Sequence, residues 1–166
     1  MTLRFNRVAD LVIDSETPIR SLVATDCQDS DATPDRAETP WLCSLYIRGS
    51  RRDGLCGDLT ADVALDRVGA RPYTLTNART AGALRSAERT ITGEVGSTRA
   101  DGATGWTLDV NSEVRSLSIE KMSGNTQVDA EGPIRSLRAV SWDGGSIEAD
   151  WLGYLRTTGA RRPGCR

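Results

Sequence analysis

A ten-residue phrase occurs three times in this chain: Ile13-Asp14-Ser15-Glu16-Thr17-Pro18-Ile19-Arg20-Ser21-Leu22, Leu108-Asp109-Val110-Asn111-Ser112-Glu113-Val114-Arg115-Ser116-Leu117 and Val128-Asp129-Ala130-Glu131-Gly132-Pro133-Ile134-Arg135-Ser136-Leu137. Each copy reads apolar-Asp, four variable positions, then apolar-Arg-Ser-Leu. Six matched positions in three copies exceed what chance supplies, and self-similarity at a fixed period is the signature of a repeat architecture. The last two copies are 20 residues apart, Val95 lies 19 before Val114, and Leu152 lies 18 after Ile134. The period is therefore about 18–20 residues.

The apolar runs are short, rich in Val, Ile, Leu and Thr, and punctuated by Gly, Asp, Asn or Ser, which is the grammar of strands and turns. A leucine-rich repeat has a similar period, but its L-x-x-L-x-L-x-x-N signature is absent. The reading is an all-β parallel β-helix, or β-solenoid, with a right-handed coil expected. A second shared element, Gly57-Asp58-Leu59-Thr60-Ala61-Asp62 and Gly145-Ser146-Ile147-Glu148-Ala149-Asp150, marks a turn glycine entering a short strand.

Strands turn alternate residues to one face, yet Ile19 and Leu22, Val114 and Leu117, and Ile134 and Leu137 are each three apart. Both members of a pair face inward only if the chain bends between them. Ser21, Ser116 and Ser136 sit at that bend, where a small hydroxyl bonds backbone groups left over by the corner. Arg20, Arg115 and Arg135 then point outward with Asp14, Asp109 and Asp129. The economical expectation is Asp–Arg compensation within each coil; the alternative is a carboxylate ladder holding cations or sugar hydroxyls.

The 166 residues fit one domain, 1–166, as a single solenoid segment. With no histidine, Ser-His-Asp and Cys-His catalysis and histidine metal sites are excluded. Lys+Arg of 21 against Asp+Glu of 23 gives no basic field for nucleic acid. No apolar run approaches the ~20 residues of a membrane helix, and Met1 to Asp14 lacks the apolar stretch of a signal peptide. Cys27, Cys43, Cys56 and Cys165 have no metal-ligand spacing. They read as small core residues, or as disulfides in an oxidising compartment.

Aligning Pro18-Ile19-Arg20-Ser21-Leu22 with Pro133-Ile134-Arg135-Ser136-Leu137, and Trp41-Leu42 with Trp151-Leu152, leaves five extra residues in the early coil. They fall in an acidic insertion, residues 26–38. Insertions in solenoids become loops on one face, and such loops often bind ligands. Asp29, Asp31 and Asp35 are the candidate ligands of a Ca²⁺ ion, the one cofactor considered, and Asp26, Asp29, Asp31 and Asp35 the candidate polysaccharide-contacting set. The EF-hand pattern fails, because Pro34 and Pro40 stand where Gly and Glu belong. Elsewhere, Leu65 to Thr90 is the least regular stretch. It reads as a degenerate coil, with a short helix over 77–89 as the alternative. Arg48, Arg51, Arg52, Arg161 and Arg162 read as solvated turns, and Trp41, Trp106, Trp142 and Trp151 as core or coil-edge residues.

On the runs Gly105-Trp106-Thr107-Leu108-Asp109-Val110, Pro133-Ile134-Arg135-Ser136-Leu137 and Gly144-Gly145-Ser146-Ile147-Glu148-Ala149, the chain resembles the long β-solenoid repeat proteins of planctomycete-type bacteria. Cys27 and Cys43 depart from it, standing where the later coil has Trp142 and Gly153. The resemblance implies an exported or cell-surface location and no catalytic residues. The expected function is a non-catalytic structural or interaction segment. Its partners are other segments of its parent protein or, end to end, further copies of itself. The alternative is a carbohydrate-active enzyme or carbohydrate-binding module of the parallel β-helix class.

Overall fold

The structure is a computed structural model that describes residues 1–28, 35–66 and 72–159. It is a stack of about 7 coils of parallel β-structure. The first coil carries β1 (Thr2–Arg4), β2 (Arg7–Ala9) and β3 (Val12–Asp14), and the second β4 (Ile19–Ala24), β5 (Asp26–Gln28) and β6 (Arg36–Thr39). The third carries β7 (Leu42–Ile47) and β8 (Asp62–Asp66), the fourth β9 (Leu75–Arg85) and β10 (Glu88–Thr92). Next come β11 (Val95–Thr104) with β12 (Thr107–Val110), then β13 (Val114–Ser123) with β14 (Gln127–Ala130). The seventh coil holds β15 (Leu137–Asp143) and β16 (Ser146–Ala149), and β17 (Leu155–Thr157) opens the next.

One eight-stranded sheet runs β1-β4-β7-β9-β11-β13-β15-β17, and a seven-stranded sheet runs β3-β6-β8-β10-β12-β14-β16, with β2 and β5 as a short third pair. Every pairing between these strands is parallel, and each strand bonds its counterparts one coil away. The repeat spacing is thus the register itself. Val95 pairs with Val114, and the bridge from Ile134 reaches Leu152, as the 18–20 period requires. Ile19 pairs with Leu42 across the longer coil, which confirms the five-residue excess.

The core is a set of columns running along the solenoid axis. Leu3, Leu22, Leu45, Ala78, Thr98, Leu117, Leu137 and Leu155 form one, by successive register. Ile19 and Leu22 are both buried, as are Val114 with Leu117 and Ile134 with Leu137, so the chain does bend between them. The bend serines stack on each other. Ser44 Oγ donates to Ser21 Oγ at 3.0 Å. Their positions continue by register through Asn77, Ser97 and Ser116.

Residues 77–89 form a coil of the solenoid, as expected, rather than the alternative helix, and the coil is regular rather than degenerate. They run from β9 through the turn at Ser86 into β10, and β9 is the longest strand of the chain's described residues. Inside β9, Ala78, Thr80, Gly82 and Leu84 are buried alternately. The small side chains hide the period-two pattern from a hydropathy reading, and pairing to β7 and β11 on both sides overrides the helix propensity of Ala and Arg.

The smallness has a cause. Leu42 pairs with Leu75, so the third coil is longer than the second, and part of its surplus is the excursion from Arg48 to Thr60. That excursion holds a bridge from Ser50 to Leu55 around a 3₁₀ turn at Arg51–Asp53, with Arg48, Arg51 and Arg52 exposed as expected. It then folds back on β9. Asp58 Oδ1 accepts from Ala83 N at 2.7 Å and its Oδ2 from Arg85 Nε at 2.8 Å. A Cβ on Gly82 would collide with the Asp58 carboxylate and the Cys56 and Gly57 backbone, so only glycine admits this approach.

Gly57-Asp58-Leu59 and Gly145-Ser146-Ile147 are not equivalent, because Leu59 bridges Cys27 and Leu84 while Ile147 pairs with Val128 on the other sheet. Both glycines do take positive φ, at 79° and 103°, which explains the shared residue at two different turns. Asp–Arg compensation within the coil is also not what Arg135 finds among the described residues. Arg135 reaches back across a coil to Glu113, with Nη2 2.8 Å from Oε2 and Nε on Oε1, a bidentate contact that holds Glu113 below the usual carboxylate range.

Candidate functional site

Of the sequence-predicted site residues, Asp29 and Asp31 lie outside the described residues. Asp26 and Asp35, which flank them, are not part of a solvated acidic loop: they are 0% and 3% exposed. Asp26 Oδ1 accepts from Asp58 N at 2.9 Å, while its Oδ2 has no hydrogen-bond partner among the described residues. Between them sits Cys27, 1% exposed, whose column continues through Leu59, Leu84, Ala103, Met122 and Trp142. The sequence alignment of Cys27 with Trp142 is therefore correct, and a thiol replaces an indole at that level.

Burial, and then the Asp35 and Asp26 carboxylates, push the Cys27 thiol up to about 12. A thiol nucleophile needs the opposite environment, so Cys27 is a small core residue rather than a reactive one. Its alkylation by iodoacetamide in the native protein near neutral pH is expected to be slow and to become fast on unfolding. Mass spectrometry of the Cys27 peptide with and without denaturant checks this; rapid native labelling would refute it. Among the described residues no group of three or more acidic, Cys or His side chains is placed to hold a metal ion.

The outward faces carry a different arrangement. On the seven-stranded sheet, register places Asp14, Glu38, Ala64, Thr90, Asp109, Asp129 and Glu148 in one row parallel to the axis. The row beside it holds Arg36, Asp62 and Glu88. Where Ala64 and Thr90 interrupt the acids, a depression of about 360 Å³ opens, lined by Arg36, Glu38, Asp62, Val63, Ala64, Glu88 and Thr90. Arg36 pairs with Glu38 at 3.4 Å, and Asp62 Oδ1 accepts from Glu88 N at 2.7 Å, so these side chains are partly fixed.

On the eight-stranded sheet the corresponding row is basic. Arg4, Val23, Tyr46, Arg79, Arg99, Ser118, Arg138 and Arg156 follow one another by register, and all five arginines are exposed. Unit charges ~4.8 Å apart repel by about 1 kcal/mol in water. The neutral gaps at Val23, Tyr46 and Ser118, and at Ala64 and Thr90, divide each row into short runs. Glu120, in the next row outward, lies 3.9 Å from Arg99.

Sequence reasoning found Asp14, Asp109 and Asp129 but neither Glu38, Asp62 and Glu88 nor the Arg79–Arg99–Arg138 row. The early acids escape because Glu38, Ala64 and Thr90 stand one coil apart at a spacing well above 20 residues. Arg99 and Arg138 carried a signal, since each aligns with Ser118 at the ordinary period. No family model, curated relative or solved structure matches this chain.

Proposed function

We propose that the chain is a non-catalytic β-solenoid segment with a structural or interaction role in an exported or cell-surface protein, and that its coil ends associate end to end. The observation that carries this reading is apolar exposure at both ends of the stack. Val12 and Phe5 are 59% and 39% exposed at one end, and Trp151, Tyr154 and Leu155 are 59%, 53% and 50% exposed at the other. Among the described residues β1 and β17 are the edge strands of the eight-stranded sheet, and repeat proteins normally cover such edges. The disulfide bonding of Cys56 supports an oxidising compartment, and the repeat's resemblance to long bacterial solenoid proteins supports a surface location.

Sedimentation over a range of concentrations tests the association. The wild-type chain is expected to form larger species that persist in high salt, and a Trp151→Ser, Leu155→Ser variant to form fewer. A wild-type chain that stays monomeric at the highest concentration would overturn the end-to-end reading.

The second reading, a carbohydrate-active or carbohydrate-binding β-helix, is favoured by the depression bearing Glu38, Asp62 and Glu88, since paired carboxylates are the machinery of glycoside hydrolysis. It transfers the role first assigned to Asp26 and Asp35, whose burial removes them from a polymer's reach. Polysaccharide binding or cleavage that survives Asp62→Asn and Glu88→Gln would exclude it. A calcium-stabilised form of the proposal rests on Asp29, Asp31 and Asp35 and predicts a melting temperature that rises with added Ca²⁺ by mass action on the folded state.

A further inference from the structure

We propose that the basic row on the eight-stranded sheet is a lateral docking surface for the acidic row on the seven-stranded sheet of a second copy of this chain. This goes beyond the end-to-end association, which uses the coil edges; the lateral contact uses the flanks.

Both rows advance by one residue per coil, so each repeats at the hydrogen-bonding distance between coils, ~4.8 Å. A second copy has the same spacing without any adjustment, whereas an unrelated polymer would have to match it independently. With two solenoids side by side, axes parallel and coils level, Asp14 stands opposite Arg4, Asp109 opposite Arg99 and Glu148 opposite Arg138, while Arg79 faces Thr90 and Asp129 faces Ser118, each one coil from an opposite charge on the facing row. At the third coil Ala64, at the depression in the acidic face, stands opposite the larger Tyr46.

The charges are segregated but nearly balanced. The whole chain carries a formal net charge of -2, so two copies approach with little overall repulsion while opposite rows attract. The exposed arginines on one flank and the acids on the other also lie on different faces of the same molecule. The contact is therefore heterologous, and it propagates into an open lateral array rather than closing as a dimer.

The test is sedimentation velocity in a Trp151→Ser, Leu155→Ser background, which suppresses end-to-end stacking, with folding of each variant confirmed by circular dichroism. At about 0.01 M salt, where the Debye length is about 30 Å, the background protein is expected to form large species. At about 1 M salt, where it is about 3 Å, they are expected to dissociate. Two neutralised variants are compared: Arg79→Gln, Arg99→Gln, Arg138→Gln, and Asp109→Asn, Asp129→Asn, Glu148→Gln. Each alone is expected to remain monomeric at low salt, and an equimolar mixture to form a one-to-one dimer that grows no further, because each partner retains one native row. Monomeric background protein at low salt overturns the proposal, as does association that persists in either variant alone. A background protein that stays monomeric yet is retained by a sulfated polysaccharide through Arg79, Arg99 and Arg138 would assign the basic row to a polyanion instead.

Discussion

Replacing Arg89 by Met is expected to stabilise the protein by about 1–4 kcal/mol, the range seen when buried ionic groups give way to apolar ones of similar volume. Arg89 occupies an inward position of β10, between Val63 and Leu108 in its column, and is 0% exposed. None of its side-chain nitrogens has a hydrogen-bond partner among the described residues. Its compensation among the described residues is the Trp106 ring, whose centroid lies 5.5 Å from Cζ, and a desolvated cation–π contact is worth about 2 kcal/mol. That offsets only part of the cost of holding a guanidinium in a dry core. Met is unbranched and apolar and can make a favourable sulfur–aromatic contact with Trp106 in its place.

The pH dependence has a definite sign. Burial lowers the Arg89 guanidinium from its ordinary value to about 10 in the folded protein. Below about pH 10 both states are charged and the folded state bears the full desolvation cost. Above about pH 10 the folded state releases its proton while the unfolded chain, with an ordinary guanidinium, still holds it, so this penalty diminishes as pH rises. The stability advantage of Arg89→Met should accordingly shrink above about pH 10. Chemical denaturation of both proteins across that range checks it. Equal stabilities at neutral pH, or a stability difference that does not change with pH, would show that Arg89 is compensated in the folded state.

The second large effect depends on position along the stack. Leu117 and Leu155 belong to one column of equivalent residues, but Leu117 is 0% exposed in the middle and Leu155 50% exposed at the end. Leu117→Ala is expected to cost about 2–5 kcal/mol, because the coils on either side cannot both close over the cavity. Leu155→Ala should cost less than about 1 kcal/mol, since a half-exposed leucine has less apolar area to lose. Midpoints of urea unfolding, measured at a concentration where both variants are monomeric, make the comparison. Equal losses would mean that the last coil is packed as tightly as the central ones.

The fold was legible because the repeat is spelled in residues that the solenoid needs at fixed places. The apolar pair spaced by three, with serine between, encodes a corner, and the 18–20 spacing encodes the register. The excursion at Arg48 to Thr60 was harder to see. It breaks the period, and the strand it covers uses Ala78, Thr80 and Gly82, whose small volume suits close packing but gives no apolar stripe. Asp26 and Asp35 were misread for a related reason. Acidic composition suggests solvent, whereas backbone amides such as that of Asp58 can hold a carboxylate inside.

By itself the sequence determined the parallel coiled architecture, the ordinary coil length of 18–20 residues and the inward columns, because burial periodicity and turn residues are local properties of the chain. Only the tertiary structure decided which charges share a face. A row such as Arg79, Arg99 and Arg138 is assembled by register across coils of unequal length, and stacking distance along the axis, rather than separation along the chain, sets what those charges meet.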